Sequence, residues 1–76
     1  MKEKILQYLA EEMPEIDFTS SNELVDDGIL DSLALTQLMA LLSMEFGVEI
    51  PYEEITTENF NSIEGIAAMV ERLQEA

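Results

Sequence analysis

The segment between Asp31 and Gly47 constrains the fold more than any other part of the chain. Its residues are good helix formers, and Glu45 is the only charged residue among them. Asp31 stands where a helix N-cap is expected and Gly47 where glycine commonly ends a helix, so a helix through Phe46 is predicted. Its apolar residues surround the helix axis: Leu33, Ala34, Leu35, Leu38, Met39, Ala40, Leu41, Leu42, Met44 and Phe46. Such a helix is normally buried, but a chain of 76 residues cannot bury all of it, so we expect part of its surface to face a partner.

The N-terminal residues predict a first helix over 3–13, followed by a long loop. Apolar residues recur there at helical spacing, and Pro14 then ends the pattern. Between Pro14 and Asp31 no period holds, and Asp26-Asp27-Gly28 has the composition of a turn. A loop of this length in a small domain is usually functional or disordered. We expect this loop to be pinned to the core by its apolar residues, which are Phe18, Leu24, Val25, Ile29 and Leu30.

The C-terminal part of the chain predicts two further helices. Thr56 or Thr57 has the side chain needed to cap a one-turn helix that ends at Phe60. Asn61 or Ser62 can then cap a last helix, and Asn61 also has capping-box spacing from a glutamate, Glu64. The last helix has one apolar face, formed by Ile63, Ile66, Ala67, Val70 and Leu73.

No β-sheet is expected. The alternating residues Val48-Glu49-Ile50 are too few for a stable strand, and Pro51 interrupts them, so they are interpreted as a connector. The predicted fold is therefore all-α, a small four-helix bundle of three main helices and one short helix, with a long loop between helices one and two. Residues 1–76 are expected to form a single domain, because no linker, repeat or low-complexity tract divides them.

The charge balance limits the partners that the chain can have. Seventeen acidic residues face only Lys2, Lys4 and Arg72, which gives a formal net charge of −14 at pH 7. This charge repels phosphate backbones and anionic lipid head groups, so nucleic acid and membranes are excluded as partners and enzymes with basic docking patches are favoured. No apolar run approaches the ~20 residues that span a bilayer, and the N-terminus lacks a signal-peptide core. A cytoplasmic location is therefore expected.

The absence of Cys and His removes most catalytic and metal-binding chemistry. Disulfides, thiolate nucleophiles, Cys-ligated zinc and imidazole bases are excluded, so we expect no enzyme activity from the remaining carboxylates and hydroxyls. A calcium loop is disfavoured, because with Gly28 at the obligatory glycine position Val25 and Ala34 fall on ligand positions. No specific metal site is predicted. Carboxylate clusters offer only non-specific divalent binding, for example at Glu49, Glu53 and Glu54.

Ser32 is the residue best placed for covalent modification. It follows the predicted N-cap Asp31, so its hydroxyl lies in the first turn of an apolar helix and close to water. A phosphate ester on it would lie at the positive end of the helix dipole, beside backbone amides that have no partner within the helix. The local pattern leaves a second interpretation open, in which Asp31 and Ser32 are only capping residues.

The surroundings of Ser32 are similar to those of a known family. The sequence Asp27-Gly28-Ile29-Leu30-Asp31-Ser32-Leu33 precedes a leucine-rich helix, and Glu45-Phe46-Gly47-Val48-Glu49-Ile50-Pro51 follows it. With the short helix near Phe60 and the apolar final helix, these motifs resemble the acyl carrier proteins over nearly the whole chain. Asp-Ser-Leu alone is a weak signal. At this offset from the Ile-Pro pair, in an acidic chain of this length, it is specific.

The resemblance implies that Ser32 is the attachment point of 4′-phosphopantetheine, transferred from coenzyme A by a separate phosphopantetheinyl transferase. Acyl or aminoacyl groups would then ride as thioesters on the terminal thiol of the arm, so the chain needs no Cys of its own. Asp31 would help the transferase hold its metal ion, and Leu33 would contact the transferase and other partner enzymes. Separately from the resemblance, the apolar and uncharged character of helix two leads us to expect that Leu35 and Met44 contact partners wherever their side chains are exposed. The expected function is that of an acyl carrier protein, a monomer that presents substrates to separate enzymes.

Some residues differ from those common in fatty-acid carriers. Those carriers often have Gly three residues before the modified serine, whereas here Ile29 holds that position and Gly28 precedes it. The order Gly-Ile-Leu-Asp-Ser-Leu is closer to D-alanyl carrier proteins and other stand-alone carriers. The cargo stays open between an aminoacyl or specialised acyl group and fatty-acid intermediates, with an acyl- or amino-acid-activating ligase and a downstream acyltransferase or synthase as expected partners. The second helix of fatty-acid carriers is often acidic where this chain has Ala34, Gln37, Ser43 and Met44.

A small acidic helical adaptor for protein interactions, without covalent cargo, is the alternative function. In that case the exposed part of the apolar helix would dock another helix. This alternative explains the apolar helix but not the placement of Asp31, Ser32 and Leu33, so the carrier function is favoured.

Overall fold

The computed structural model describes residues 2–75 and folds them as an all-α protein. No β-strand forms within that range, and the longest segment without a helix lies between the first two helices, as predicted. The predicted set of three main helices and one short helix is confirmed, and a 3₁₀ turn at Tyr52–Glu54 is added to it. The α-helices are α1 Lys2–Glu12, α2 Ser32–Phe46, α3 Thr57–Phe60 and α4 Ile63–Glu75.

Helix α2 begins and ends at the residues that the sequence indicates. The Asp31 carboxylate accepts a hydrogen bond from the Ala34 amide at 2.8 Å, and the Asp31 carbonyl accepts one from the Leu35 amide at 2.9 Å. Gly47 ends the helix with a φ of 62°, a left-handed conformation that costs glycine little because it has no Cβ. The length of α2 is therefore determined by two residues next to its ends.

Helices α1 and α3 differ little from their predicted bounds. Helix α1 begins and ends one residue earlier than the predicted 3–13, although the Met13 amide still donates a helical hydrogen bond to the Leu9 carbonyl at 2.8 Å. A difference of this size is within the ordinary fraying of helix ends. For α3, the Thr56 hydroxyl accepts a hydrogen bond from the Asn59 amide at 3.2 Å, so Thr56 and not its neighbour is the cap.

The start of α4 corrects one prediction. Ser62 Oγ accepts a hydrogen bond from the Gly65 amide at 3.0 Å, so Ser62 caps this helix. The predicted capping box of Asn61 and Glu64 is wrong, because the Asn61 side chain accepts hydrogen bonds from two amides of the long loop instead. Glu64 forms an ion pair with Lys2 at 3.0 Å and so ties α4 to α1.

Helix α4 is the centre of the core, because α1, α2 and α3 all pack against it. The long loop contributes to the same core, as predicted: Phe18, Leu24 and Leu30 are buried, and Val25 and Ile29 are half-buried against it. Burial of one such large side chain contributes about 1.5–3 kcal/mol, enough to hold a loop segment in place. The fully buried residues of the α-helices are Ile5, Leu9, Leu38, Leu42, Phe60, Ile66, Met69 and Val70.

Helix α2 leaves part of its apolar surface exposed, as is required if that part is to face a partner. Only Leu38 and Leu42 are buried among its residues, whereas Leu33 is 78% exposed and Met44 is 82% exposed. This surface does not mark a membrane span, since no helix in the described part of the chain is long and apolar enough to cross a bilayer.

Candidate functional site

Ser32 is the first residue of α2, and its side chain is exposed. The Asp31 carboxylate already accepts the capping hydrogen bond from Ala34 at 2.8 Å, so the Ser32 hydroxyl is not needed to cap the helix. Thr36 donates its hydroxyl to the Ser32 carbonyl at 2.9 Å, a contact that does not involve the serine side chain. The capping interpretation therefore holds for Asp31 and not for Ser32.

The residues before Ser32 form a tight turn that is anchored in the core. Gly28 adopts a φ of 77°, which favours glycine, and the Leu30 amide donates to the Leu24 carbonyl at 2.9 Å. Leu24 is 0% exposed and Leu30 is 2% exposed. The chain is thus fixed two residues before Ser32, while Ser32 itself is open to approaching molecules.

The electrostatics of this position suit a phosphate ester. The amides of the first helical turn lack acceptors within the helix, and α2 has no acidic residue in its first turn. A negative group near a helix N-terminus gains about 0.3–1 kcal/mol from the helix dipole, an effect that the neighbouring Asp31 carboxylate partly opposes. The residues present therefore fit a phosphate ester on Ser32 Oγ that extends into solvent.

Three of the four residues predicted to contact partner enzymes are accessible. Asp31 and Leu33 flank Ser32 and are exposed. Met44 is exposed as well, and it lies on the same side of α2 as Leu33, about 16 Å away along the axis at a rise of ~1.5 Å per residue. Leu35 is half-buried and packs against the core, so a substitution there would disturb folding as well as docking.

An exposed, uncharged surface runs along α2 from Ser32 toward Glu45. Helical residues three or four apart share a face. Glu45 is the only charged residue of α2, so this surface offers apolar and amide contacts with little charge. The exposed residues at this spacing, which we name the α2 stripe, are Leu33, Gln37, Ala40 and Met44.

The sequence pattern does not predict the surface near the 3₁₀ turn. Tyr52, at the start of this turn, is 86% exposed. Glu54, at its end, accepts hydrogen bonds from Arg72 at 2.6 Å and from Asn59 at 3.1 Å, which tie the turn to α4 and α3. The only local signal is an aromatic residue directly after Pro51, and the distant partner Arg72 leaves no trace in a local pattern.

Tyr8 has a structural role between α1 and α2. Its ring packs edge-on against Phe46 with centroids 6.0 Å apart, and its hydroxyl donates to the Leu41 carbonyl at 3.3 Å. Burial raises the pKa of Tyr8, and the carboxylates of Glu12 and Glu45 raise it further. The phenol therefore stays protonated and keeps its hydrogen bond at neutral pH.

The carboxylates form local contacts and no metal site within residues 2–75. No group of three or more acidic side chains there is arranged to hold a metal ion. Hydrogen bonds from the Thr19 hydroxyl at 2.6 Å and the Thr19 amide at 3.0 Å lower the pKa of Asp17. The hydrogen bond from the Lys2 ammonium lowers the pKa of Glu64.

The helical fold and the exposed serine at the start of α2 indicate the class of small carrier bundles. Residues 3–70 match the family model described as "Phosphopantetheine attachment site". The chain is also 31% identical over 64 residues to D-alanyl carrier proteins of Streptococcus pyogenes serotype M5 (strain Manfredo), serotype M49 (strain NZ131) and serotype M1. Each alignment covers 84% of this chain and 81% of the relative. The chain therefore belongs to the family of phosphopantetheine-attachment carrier proteins.

Membership of this family establishes the general function. The protein is a carrier that bears a 4′-phosphopantetheine arm and transports acyl or aminoacyl groups. Its partners are a phosphopantetheinyl transferase and acyl-handling enzymes, and the carrier itself is not catalytic. The carrier interpretation is confirmed in preference to an adaptor without covalent cargo.

Proposed function

We propose that Ser32 bears the 4′-phosphopantetheine arm and that residues 1–76 act as one carrier domain. The observation that carries this proposal is the exposed Ser32 hydroxyl in the first turn of α2, left free because Asp31 caps the helix. The arm supplies a terminal thiol on which acyl or aminoacyl groups travel as thioesters. The role of this chain is to hold the serine open, keep its surroundings rigid and present a docking surface.

In the attachment step Ser32 Oγ forms a bond to the phosphorus that carries the pantetheine. The bond from that phosphorus to the bisphosphorylated adenosine part of coenzyme A breaks, and the hydroxyl proton passes to a base of the transferase. Asp31 lies one residue before Ser32 with an exposed carboxylate. We assign it two tasks, capping α2 and helping the transferase to hold its metal ion.

Partner enzymes dock, in this proposal, on the α2 stripe next to Ser32. Leu33 and Met44 supply exposed apolar contacts, while the net charge of −14 favours enzymes with basic rims around their entrances. The partners include the transferase, an acyl- or amino-acid-activating ligase and a downstream acyltransferase or synthase. We place this work in the cytoplasm, where coenzyme A is available for the transfer.

The proposed cargo is an aminoacyl or specialised acyl group loaded by an adenylate-forming ligase. Two features support it: the 31% identity to proteins named D-alanyl carrier proteins, and an α2 whose only charged residue is Glu45. Loading of the arm-bearing protein with D-alanine by a D-alanine-activating ligase and ATP would add one alanyl group, removable by hydroxylamine. If only a fatty-acid-activating ligase loaded the protein, this choice of cargo would be contradicted, but the assignment of Ser32 as the attachment site would not be affected.

The attachment site is tested by intact-mass measurement after incubation with coenzyme A and a broad-specificity phosphopantetheinyl transferase. The unmodified protein should gain the mass of one arm, and Ser32→Ala should gain none while keeping its helical circular dichroism, because alanine is an excellent helix former. Thr36→Ala is the matched control, since it removes an exposed hydroxyl one turn further along the same helix. An arm on Ser32→Ala, or none on Thr36→Ala, would contradict the assignment.

A further inference from the structure

The side chain of Asn61 links the start of α4 to the long loop in front of Ser32. Its Oδ1 accepts hydrogen bonds from the amides of Val25 at 2.9 Å and Asp26 at 3.2 Å. Its Nδ2 donates to the Asp26 carboxylate at 3.1 Å, and the Asn61 carbonyl accepts a bond from the Leu24 amide at 2.7 Å. Asn61 thus holds three consecutive loop residues by four hydrogen bonds, which we name the Asn61 clamp.

The clamp reaches Ser32 through the turn that the loop forms. Leu24, whose amide is held by the clamp, accepts a hydrogen bond from the Leu30 amide at 2.9 Å, which closes residues 24–30 into a ring. Inside this ring the Gly28 amide donates to the Val25 carbonyl at 3.1 Å. Only Asp31, the cap residue of α2, separates Leu30 from Ser32. The turn that the clamp holds therefore ends two residues before the serine.

The amide side chain of Asn61 provides the acceptor and the donor that this contact with the loop requires. Its own helix does not use the side chain, because Ser62 provides the α4 cap. An amide side chain is both acceptor and donor, so it can serve two backbone amides and the Asp26 carboxylate together. Aspartate would keep the acceptors but set two carboxylates against each other, and alanine would keep only the backbone contact.

We propose that Asn61 is a positioning residue for arm transfer to Ser32. It holds the turn of residues 24–30 in the arrangement that the transferase meets together with the serine. Asn61 acts through this turn, because its hydrogen bonds go to residues 24–26 of the loop and not to the serine side chain. The inference rests on the proposed attachment at Ser32.

The test is a double-mutant cycle between Asn61 and Asp26, followed by two measurements. Asn61→Asp places two carboxylates together. In the Asp26→Asn background the same change leaves an amide at position 26 that can donate to the carboxylate at position 61, so the pair is complementary again. Asn61→Ala removes the side-chain half of the clamp. Ser62→Ala is the matched control, because it removes the neighbouring cap of α4 without touching the loop.

The first measurement is amide hydrogen exchange at Val25 and Asp26. In Asn61→Ala these amides should exchange about tenfold faster, the effect of losing hydrogen bonds of ordinary net strength, while core amides keep their protection. In Asn61→Asp the acceptor oxygens remain, and exchange should be faster because repulsion between the two carboxylates moves the loop away from them. The second is kcat/KM for arm transfer, which should fall in both variants by the fraction of molecules whose turn has opened, because only molecules with the turn formed are competent. Asn61→Asp should have no effect on either quantity when Asp26 is already Asn, and Ser62→Ala should transfer at the normal rate.

Several results would overturn this role. Normal transfer in Asn61→Ala would do so, as would equal slowing in Ser62→Ala, or a slowing by Asn61→Asp that persists in the Asp26→Asn background. The double-mutant cycle keeps the proposal testable even if Asn61→Ala fails to fold. These results differ from a failure of the attachment site, which would show as an arm on Ser32→Ala.

Discussion

Substitution of Asp31 separates helix capping from arm transfer. The Asp31 carboxylate accepts one hydrogen bond from the Ala34 amide at 2.8 Å, and it is exposed to solvent. Asp31→Ala removes this bond and should lower the free energy of unfolding by about 1 kcal/mol. For a domain of this size that corresponds to a fall in Tm of about 4–8 °C. Asp31→Asn keeps an acceptor oxygen, and because Asn and Asp are similar as N-caps, its stability should change by less than about 0.5 kcal/mol.

Thermal and urea unfolding, followed by circular dichroism, measure the change in stability. Intact-mass measurements over a time course measure the rate of arm transfer. If the Asp31 carboxylate helps the transferase to hold its metal ion, both variants should slow arm transfer, although only Asp31→Ala lowers Tm. Transfer at the normal rate by Asp31→Asn would refute the role of the carboxylate. An equal loss of Tm in both variants would refute the capping argument, because the asparagine oxygen can still accept the bond from Ala34.

Three further predictions concern docking, charge and pH. Met44→Asp puts a charge into the α2 stripe at a position that is 82% exposed, so it should weaken binding to the loading enzyme, measured by calorimetry, without lowering Tm. The association rate of the protein without this substitution should fall only modestly with added salt. Unchanged affinity or a steep salt dependence would count against docking through the stripe. Because the net charge is −14, millimolar magnesium or calcium should raise Tm more than sodium chloride of equal ionic strength, and equal shifts would contradict this. Because the pKa of Asp17 is lowered in the folded state, the Asp17 carboxylate stabilises the fold at pH values above its unfolded-state pKa, and this stabilisation is lost as pH falls through the folded-state pKa. Thr19→Val should therefore destabilise the protein at neutral pH but not in acid. Destabilisation that persists in acid would contradict this prediction.

The parts of the fold that depend on neighbouring residues could be predicted from the sequence. Asp31 and Gly47 bound α2 as expected, since capping and a left-handed C-terminal residue involve groups only a few positions apart. The exposed position of Ser32 follows from the same local rule, because a residue after an N-cap lies in the first helical turn. The family motif around Ser32 is likewise a contiguous stretch of sequence, so the carrier function was accessible without coordinates.

Only the tertiary structure decided which side chains of these elements are exposed and which distant groups they contact. Helix α2 is apolar on every side, so its period could not separate half-buried Leu35 from exposed Leu33 and Met44; that division depends on where α4 packs. Asn61 was an equally good helix cap by sequence, and it became a loop clamp because folding brings Val25, 36 positions away, within 2.9 Å of its amide oxygen. A side chain takes the partner that lowers its free energy most in the folded chain, and when that partner is distant in sequence no local pattern identifies it.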